Sequence, residues 1–165
     1  MTILEMFTKE LKSEAEITRK FLQSVPEDKM EWQPHSKSMT LKRLINHVAE
    51  LPEWIEGVIQ TRELDFEKEP YTPNDRSSRD ELIAFFEDCL KRGLAALGAS
   101  DESMLSEMWT LRAGEVIFSE TEKWEMIRHT LNQITHHRAQ LGVYYRLLDI
   151  PVPSSYGGSA DDDSF

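Results

Sequence analysis

The chain has 165 residues, of which 39% are hydrophobic and 30% charged, with seven glycines and seven prolines. That is long enough for one domain (1–165) around a continuous core, and its composition is neither disordered nor fibrous. The formal net charge of −11 argues against a nucleic-acid partner, because a phosphate backbone is held by clustered Lys and Arg.

The longest apolar run, "LIAFF" (82–86), is far too short to span a bilayer, so no membrane partner is expected. The opening "MTILEMFTKELKSEAE" carries acids throughout and lacks the basic-then-apolar order of a secretion signal. Cys89 stands alone, which excludes an intramolecular disulfide and suits a reducing cytoplasm. Leu82, Phe86 and Leu97 accompany it at helical spacing, so it reads as a packing residue, the alternative being a nucleophile.

In chain order, 2–24 reads as an amphipathic helix with Leu4, Phe7, Leu11, Thr18 and Phe21 or Leu22 on one stripe. "SVPEDKMEWQPHSKS" breaks that pattern. A second helix is predicted from the N-cap Thr40, with Leu41, Leu44, Ile45, Val48, Leu51 and Ile55 inward. Pro52 should kink it or split off its last turns. Residues 61–77 read as a polar connection. Ser78 and Glu81 have capping-box spacing and open a third helix that runs to Gly98.

The stretch 99–118 allows a helical turn near 101–108 and an extended segment near 109–118. Ser119 and Glu122 repeat the capping-box spacing and predict a fourth helix from there to about Leu148, ended by Pro151 and Pro153. The remainder, 151–165, is loop-like, and its Asp161, Asp162 and Asp163 lack the Gly and Glu of a calcium loop. Four amphipathic helices without convincing strand alternation predict an all-α four-helix bundle. Its long linkers would serve as crossover connections.

On the fourth helix Trp124, Ile127, Leu131, Ile134, Leu141, Tyr145 and Leu148 form an apolar seam interrupted only by Arg138. An unpaired buried guanidinium is costly, so Arg138 needs an acid from another helix or another subunit. His137 flanks the seam. Gln133 lies one turn earlier, about 6 Å along the axis, and His129 one turn before that. His136 points about 100° away from His137. On the second helix His47 flanks the apolar stripe in the same way, and Glu50 follows it by one turn. Histidines from two helices can meet inside a bundle and hold a metal, or can simply be hydrogen-bonded core residues; spacing alone leaves both open. His35 reads as a surface loop residue.

Three stretches together resemble one family. "LNQITHHRAQLGVYYRLLDIPVPSSYGGSAD" is similar to the C-terminal signature of the DinB/YfiT-like superfamily, typically Asn-His-x-x-His-His-Arg-Gly/Ala-Gln. "MTLKRLINHVAELPEW" resembles its second-helix marker, and "MEWQPHSKSMT" its first linker. The resemblance implies a bundle with crossover connections, a homodimer, and a divalent metal, nickel or zinc, held by three histidines. Two of these correspond to His47 and His137. The third falls on Gln133, whose neutral amide oxygen is a poorer donor for borderline metals. The ligand is thereby weakened or lost, and His129 is the alternative. Gly158 also departs, standing where relatives usually have proline.

The resemblance further implies a metal-dependent enzyme, a hydrolase or a transferase that uses a low-molecular-weight thiol, acting on a small molecule. Glu50 would orient His47 or serve as a catalytic base. The competing expectation is a non-catalytic dimeric bundle with a degenerate metal pocket that binds a small ligand or partner.

Overall fold

The computed structural model describes residues 1–164; Phe165, the last residue of the expected tail, lies outside the described residues. Four long helices carry the chain: α1 (Ile3–Gln23), α2 (Leu41–Gln60), α3 (Arg79–Ala99) and α4 (Lys123–Leu147). Each start is written locally. Thr2 and Glu5 form a capping box on α1, Thr40 accepts from the Arg43 N–H at the head of α2, and Ser78 and Glu81 cap α3. The apolar stripes of α1 and α2 converge on one core that includes Leu11, Leu22, Leu44, Ile45, Leu51 and Ile55. α2 packs chiefly on α3 and α4, α1 also packs on α3 and α4, and α1 touches α2 only slightly. The two helices that are first in sequence therefore lie across the core from one another, as the long connections allow.

The all-α expectation is corrected by a small sheet. Strands β1 (Glu63–Asp65), β2 (Met108–Ala113) and β3 (Val116–Glu122) pair in the order β1-β2-β3, the first pair parallel and the second antiparallel. Gly114 opens the two-residue β2–β3 turn with φ +57°, a conformation that glycine takes without cost. Its N–H donates to Asp65 Oδ1 at 2.9 Å, which ties the turn to the end of β1. The extended segment expected near 109–118 is thus the hairpin. β1 comes from the connection that reads as polar loop.

The fourth helix begins later than expected. Ser119 sits opposite Leu111 in the β2–β3 ladder, and the true N-cap is Glu122, whose N–H donates to Glu125 at 3.3 Å. A Ser-x-x-Glu spacing is weak against a strand pairing that satisfies the same backbone groups. Trp124, assigned to the seam, is 37% exposed, and Met126 is buried instead. Pro52 does not split α2, which is helical from 41 to 60. Opposite it, a Cβ on Gly93 would come within 2.4 Å of the Pro52 carbonyl oxygen. Glycine at 93 is what lets α3 approach α2 at that level.

Candidate functional site

His47 on α2 and His137 on α4 are each buried to 9% exposure, and their ring centroids lie 4.5 Å apart at an interplanar angle of 78°. Both sit where the apolar stripes of their helices meet. Each ring is held by a side chain three residues on. His47 Nδ1 lies 2.7 Å from Glu50 Oε1, and His137 Nδ1 lies 2.8 Å from Gln140 Oε1. With an oxygen acceptor at each Nδ1, the proton belongs there and Nε2 keeps its lone pair, the tautomer a metal-binding imidazole needs. Burial, with smaller contributions from His47 and His136, holds the His137 imidazole below its ordinary pKa against the opposing bond from Gln140, which keeps it neutral.

Glu50 is buried among donors. Tyr71 donates its hydroxyl to Oε1, which also faces His47, and the Asn74 amide donates to Oε2 at 2.6 Å. Burial alone would raise this carboxyl; the bonds from His47, Tyr71 and Asn74 outweigh it and lower the pKa. Tyr71 is pushed up to about 12 by burial and by Glu50, so it remains a hydroxyl donor. Its oxygen accepts from Arg43 at 2.9 Å. The connection carrying Tyr71 and Asn74 is pinned to α2 through Asn46, which donates to the Arg76 carbonyl and accepts from the Arg76 N–H, both at 2.9 Å.

Gln140, Tyr71 and Asn74 are absent from the sequence-based site. Gln140 had a signal, because His137-x-x-Gln140 repeats the spacing of His47-x-x-Glu50. Tyr71 and Asn74 had none, lying on a connection without periodicity.

Gln133 does not join the pair. It is half-buried, and its amide nitrogen lies 3.2 Å from Nε2 of His129, which is exposed. His136 is exposed as well; its ring lies 4.8 Å from that of His137, and Gln140 links the two. Among the described residues no group of three His, Cys, Asp or Glu side chains converges on a metal position. The two imidazoles, each with its outer nitrogen tied, fit two positions of a divalent metal. The described side chains provide no third strong donor beside them, whereas a catalytic zinc commonly has three.

Beside His47 opens a cavity of about 680 Å³ between the C-terminal half of α2 and the sheet, with Trp54, Leu64, Trp109 and Leu111 in its walls and His129 at its lining. Cys89 is buried next to Glu53, and burial pushes its thiol up to about 12, so it is a packing residue without nucleophilic character.

Arg138 finds its acid within the chain. It meets Glu14 of α1 at 2.6 Å, with both side chains 2% exposed, and it also donates to Thr18 and Tyr156. Tyr156 in turn donates to Glu14, which docks the C-terminal segment against α1. The guanidinium therefore calls for no second subunit.

No helix among the described residues is long and apolar enough to cross a membrane. Among curated proteins none is significantly similar in sequence. Several solved structures share the fold. A DinB-like protein from Bacillus cereus has a TM-score of 0.69 at 19% identity, covering 91% of this chain and 95% of its own. A DinB-like protein from Bacillus subtilis has a TM-score of 0.68 at 14% identity, covering 87% and 92%. A mycothiol-dependent maleylpyruvate isomerase has a TM-score of 0.58 at 16% identity, covering 86% of this chain but only 61% of the isomerase. The DinB family profile matches residues 1–163, so nearly the whole sequence carries the family pattern, and the chain belongs to the DinB family.

Proposed function

We propose that the chain is a metal-dependent enzyme, a thiol-dependent transferase or a hydrolase, with a divalent zinc or nickel ion held between His47 and His137. The observation that carries this reading is the pair of facing imidazoles, each with its Nδ1 tied to a positioned oxygen and its Nε2 without a hydrogen-bond partner among the described residues. A divalent metal there would lower the pKa of a coordinated water or thiol and so make a nucleophile available at neutral pH. Thiol use draws support from the structural likeness to a mycothiol-dependent isomerase.

The chain's own residues divide the remaining work. Glu50 accepts from His47 Nδ1 and fixes that ring; with Tyr71 and Asn74 also donating to it, orientation suits it better than the role of base. Gln140 does the same for His137. The apolar cavity next to His47 would seat the substrate away from bulk water.

Elemental analysis of the purified protein, followed by zinc and nickel titration, tests the metal. One ion per chain is expected, with binding lost in His47→Ala and in His137→Ala. A panel of low-molecular-weight thiols offered with electrophilic acceptors tests transfer.

The second reading is a non-catalytic protein with a degenerate metal pocket, and one observation favours it: the Gln133 amide contacts His129 rather than the imidazole pair. No metal binding at millimolar zinc would decide for it.

A further inference from the structure

We propose that the cavity beside His47 selects a small molecule with an apolar, ring-sized body and a protonated amine. The proposal rests on the reading of that cavity as the substrate side of the site. Its volume of about 680 Å³ lies in the range of small-molecule pockets. Its walls are aromatic, with Trp54 from α2, Phe66 after β1, Tyr71 from the connection and Trp109 from β2. Trp109 spends its indole N–H on Thr61 Oγ at 3.0 Å, so toward the cavity it offers ring surface. At one end His47 is nine-tenths buried, with no hydrogen-bond partner at Nε2 among the described residues.

Charge decides what kind of head group fits. The lining carries four carboxylates, Glu53, Glu56, Glu63 and Glu69, against the single guanidinium of Arg92. That guanidinium is already engaged by Glu53, by Glu56 at 3.5 Å and by Asp88 at 3.3 Å. Glu63 is matched by Lys68 and Arg112, whereas among the described residues no cation lies within 4.0 Å of Glu69. Apart from a metal ion at His47, an entering anion would meet surplus negative charge and, among the described lining residues, no unpaired guanidinium or ammonium. An ammonium would meet carboxylates together with the negative faces of aromatic rings, which attract cations.

The test uses the full chain, with tryptophan fluorescence and calorimetry as readouts and three probes of similar body: 2-phenylethylamine, 2-phenylethanol and 3-phenylpropanoate. At pH 7 and low salt the amine should bind at least about tenfold more tightly than the carboxylate, and its advantage should shrink as salt is added. The double variant Glu56→Gln, Glu69→Gln should cut the amine-over-alcohol preference by about threefold or more, leaving the alcohol itself unchanged. Equal or tighter binding of the carboxylate would overturn the proposal. So would an unaltered preference in the double variant, or no binding of any probe. Zinc and nickel titration of the unmutated chain separates the two readings: amine preference in a chain that takes up no metal supports this inference and removes only the metal. Metal uptake without amine preference removes this inference alone.

Discussion

At the scale of single residues the site turns on what stands at 133. The amide of Gln133 lies on the helix face leading to His137 but contacts His129, so a stronger donor at that position should complete the set. Gln133→His is expected to tighten zinc or nickel by at least about tenfold, roughly 1.4 kcal/mol. That gain should vanish when His47→Ala or His137→Ala is added, and His136→Ala should matter little. Calorimetric titration checks this, and unchanged affinity in Gln133→His would mean that position 133 does not reach the metal.

A second residue-scale prediction concerns Glu50. Its pKa is lowered in the folded protein, so it contributes stability that is present above the unfolded carboxyl pKa of about 4.3 and is lost as pH falls through the folded value. Glu50→Gln should cost roughly 1–3 kcal/mol near pH 7. The gap to wild type should narrow as pH falls below about 4.3 and close only below the lowered folded value, where the wild-type carboxyl is protonated too. Urea unfolding across pH 3–7 measures it, and a gap independent of pH would show that the charge contributes nothing.

At the scale of elements, two glycines with opposite surroundings test the packing of α2 on α3. Gly93→Ala pushes a methyl into the Pro52 carbonyl, and the helices must separate; a loss of about 1–3 kcal/mol is expected. Gly57, exposed on α2, has nothing within 4 Å of an added Cβ. Gly57→Ala should therefore be neutral or stabilise by about 0.5–1 kcal/mol through helix propensity. Denaturant midpoints of the two variants should move in opposite directions, or at least not together. The Glu14–Arg138 pair joins α1 to α4 in the same sense. Glu14→Gln, which leaves the guanidinium buried beside a neutral amide, should cost about 3–5 kcal/mol.

For the whole molecule, the homodimer remains a proposal that rests on the family resemblance, because Arg138 is neutralised by Glu14 inside one chain. Exposed apolar surface does exist on the edge strand β3, at Val116, Ile117 and Phe118, and uncovered edges invite association. Sedimentation equilibrium should give twice 19.2 kDa across micromolar concentrations; a species at 19.2 kDa would refute the dimer. The charge of −11 carries the other whole-molecule expectation, no useful affinity for a generic DNA duplex at physiological salt. Submicromolar, salt-sensitive binding in a mobility-shift titration would overturn it.

The sequence by itself determined the four helices, the N-caps Thr40 and Ser78, and the placement of His47 and His137 on the inward flanks of two of those helices. Helical periodicity and capping are local, and two histidines flanking two apolar stripes are drawn to the same core when those stripes are buried together. Glu50 was legible for the same reason, being one turn from its partner. The sheet was not: β1 is three residues long and its ladder partner β2 lies more than forty positions away. Nor were Tyr71 and Asn74, which reach Glu50 from an aperiodic connection that Asn46 holds in place. The acid for Arg138 and the turn of Gln133 toward His129 are likewise choices among neighbours that exist only after packing. Local pattern specifies which residues face inward; only the tertiary structure decides which of them meet, because burial forces each polar group to find the partner that happens to be within reach.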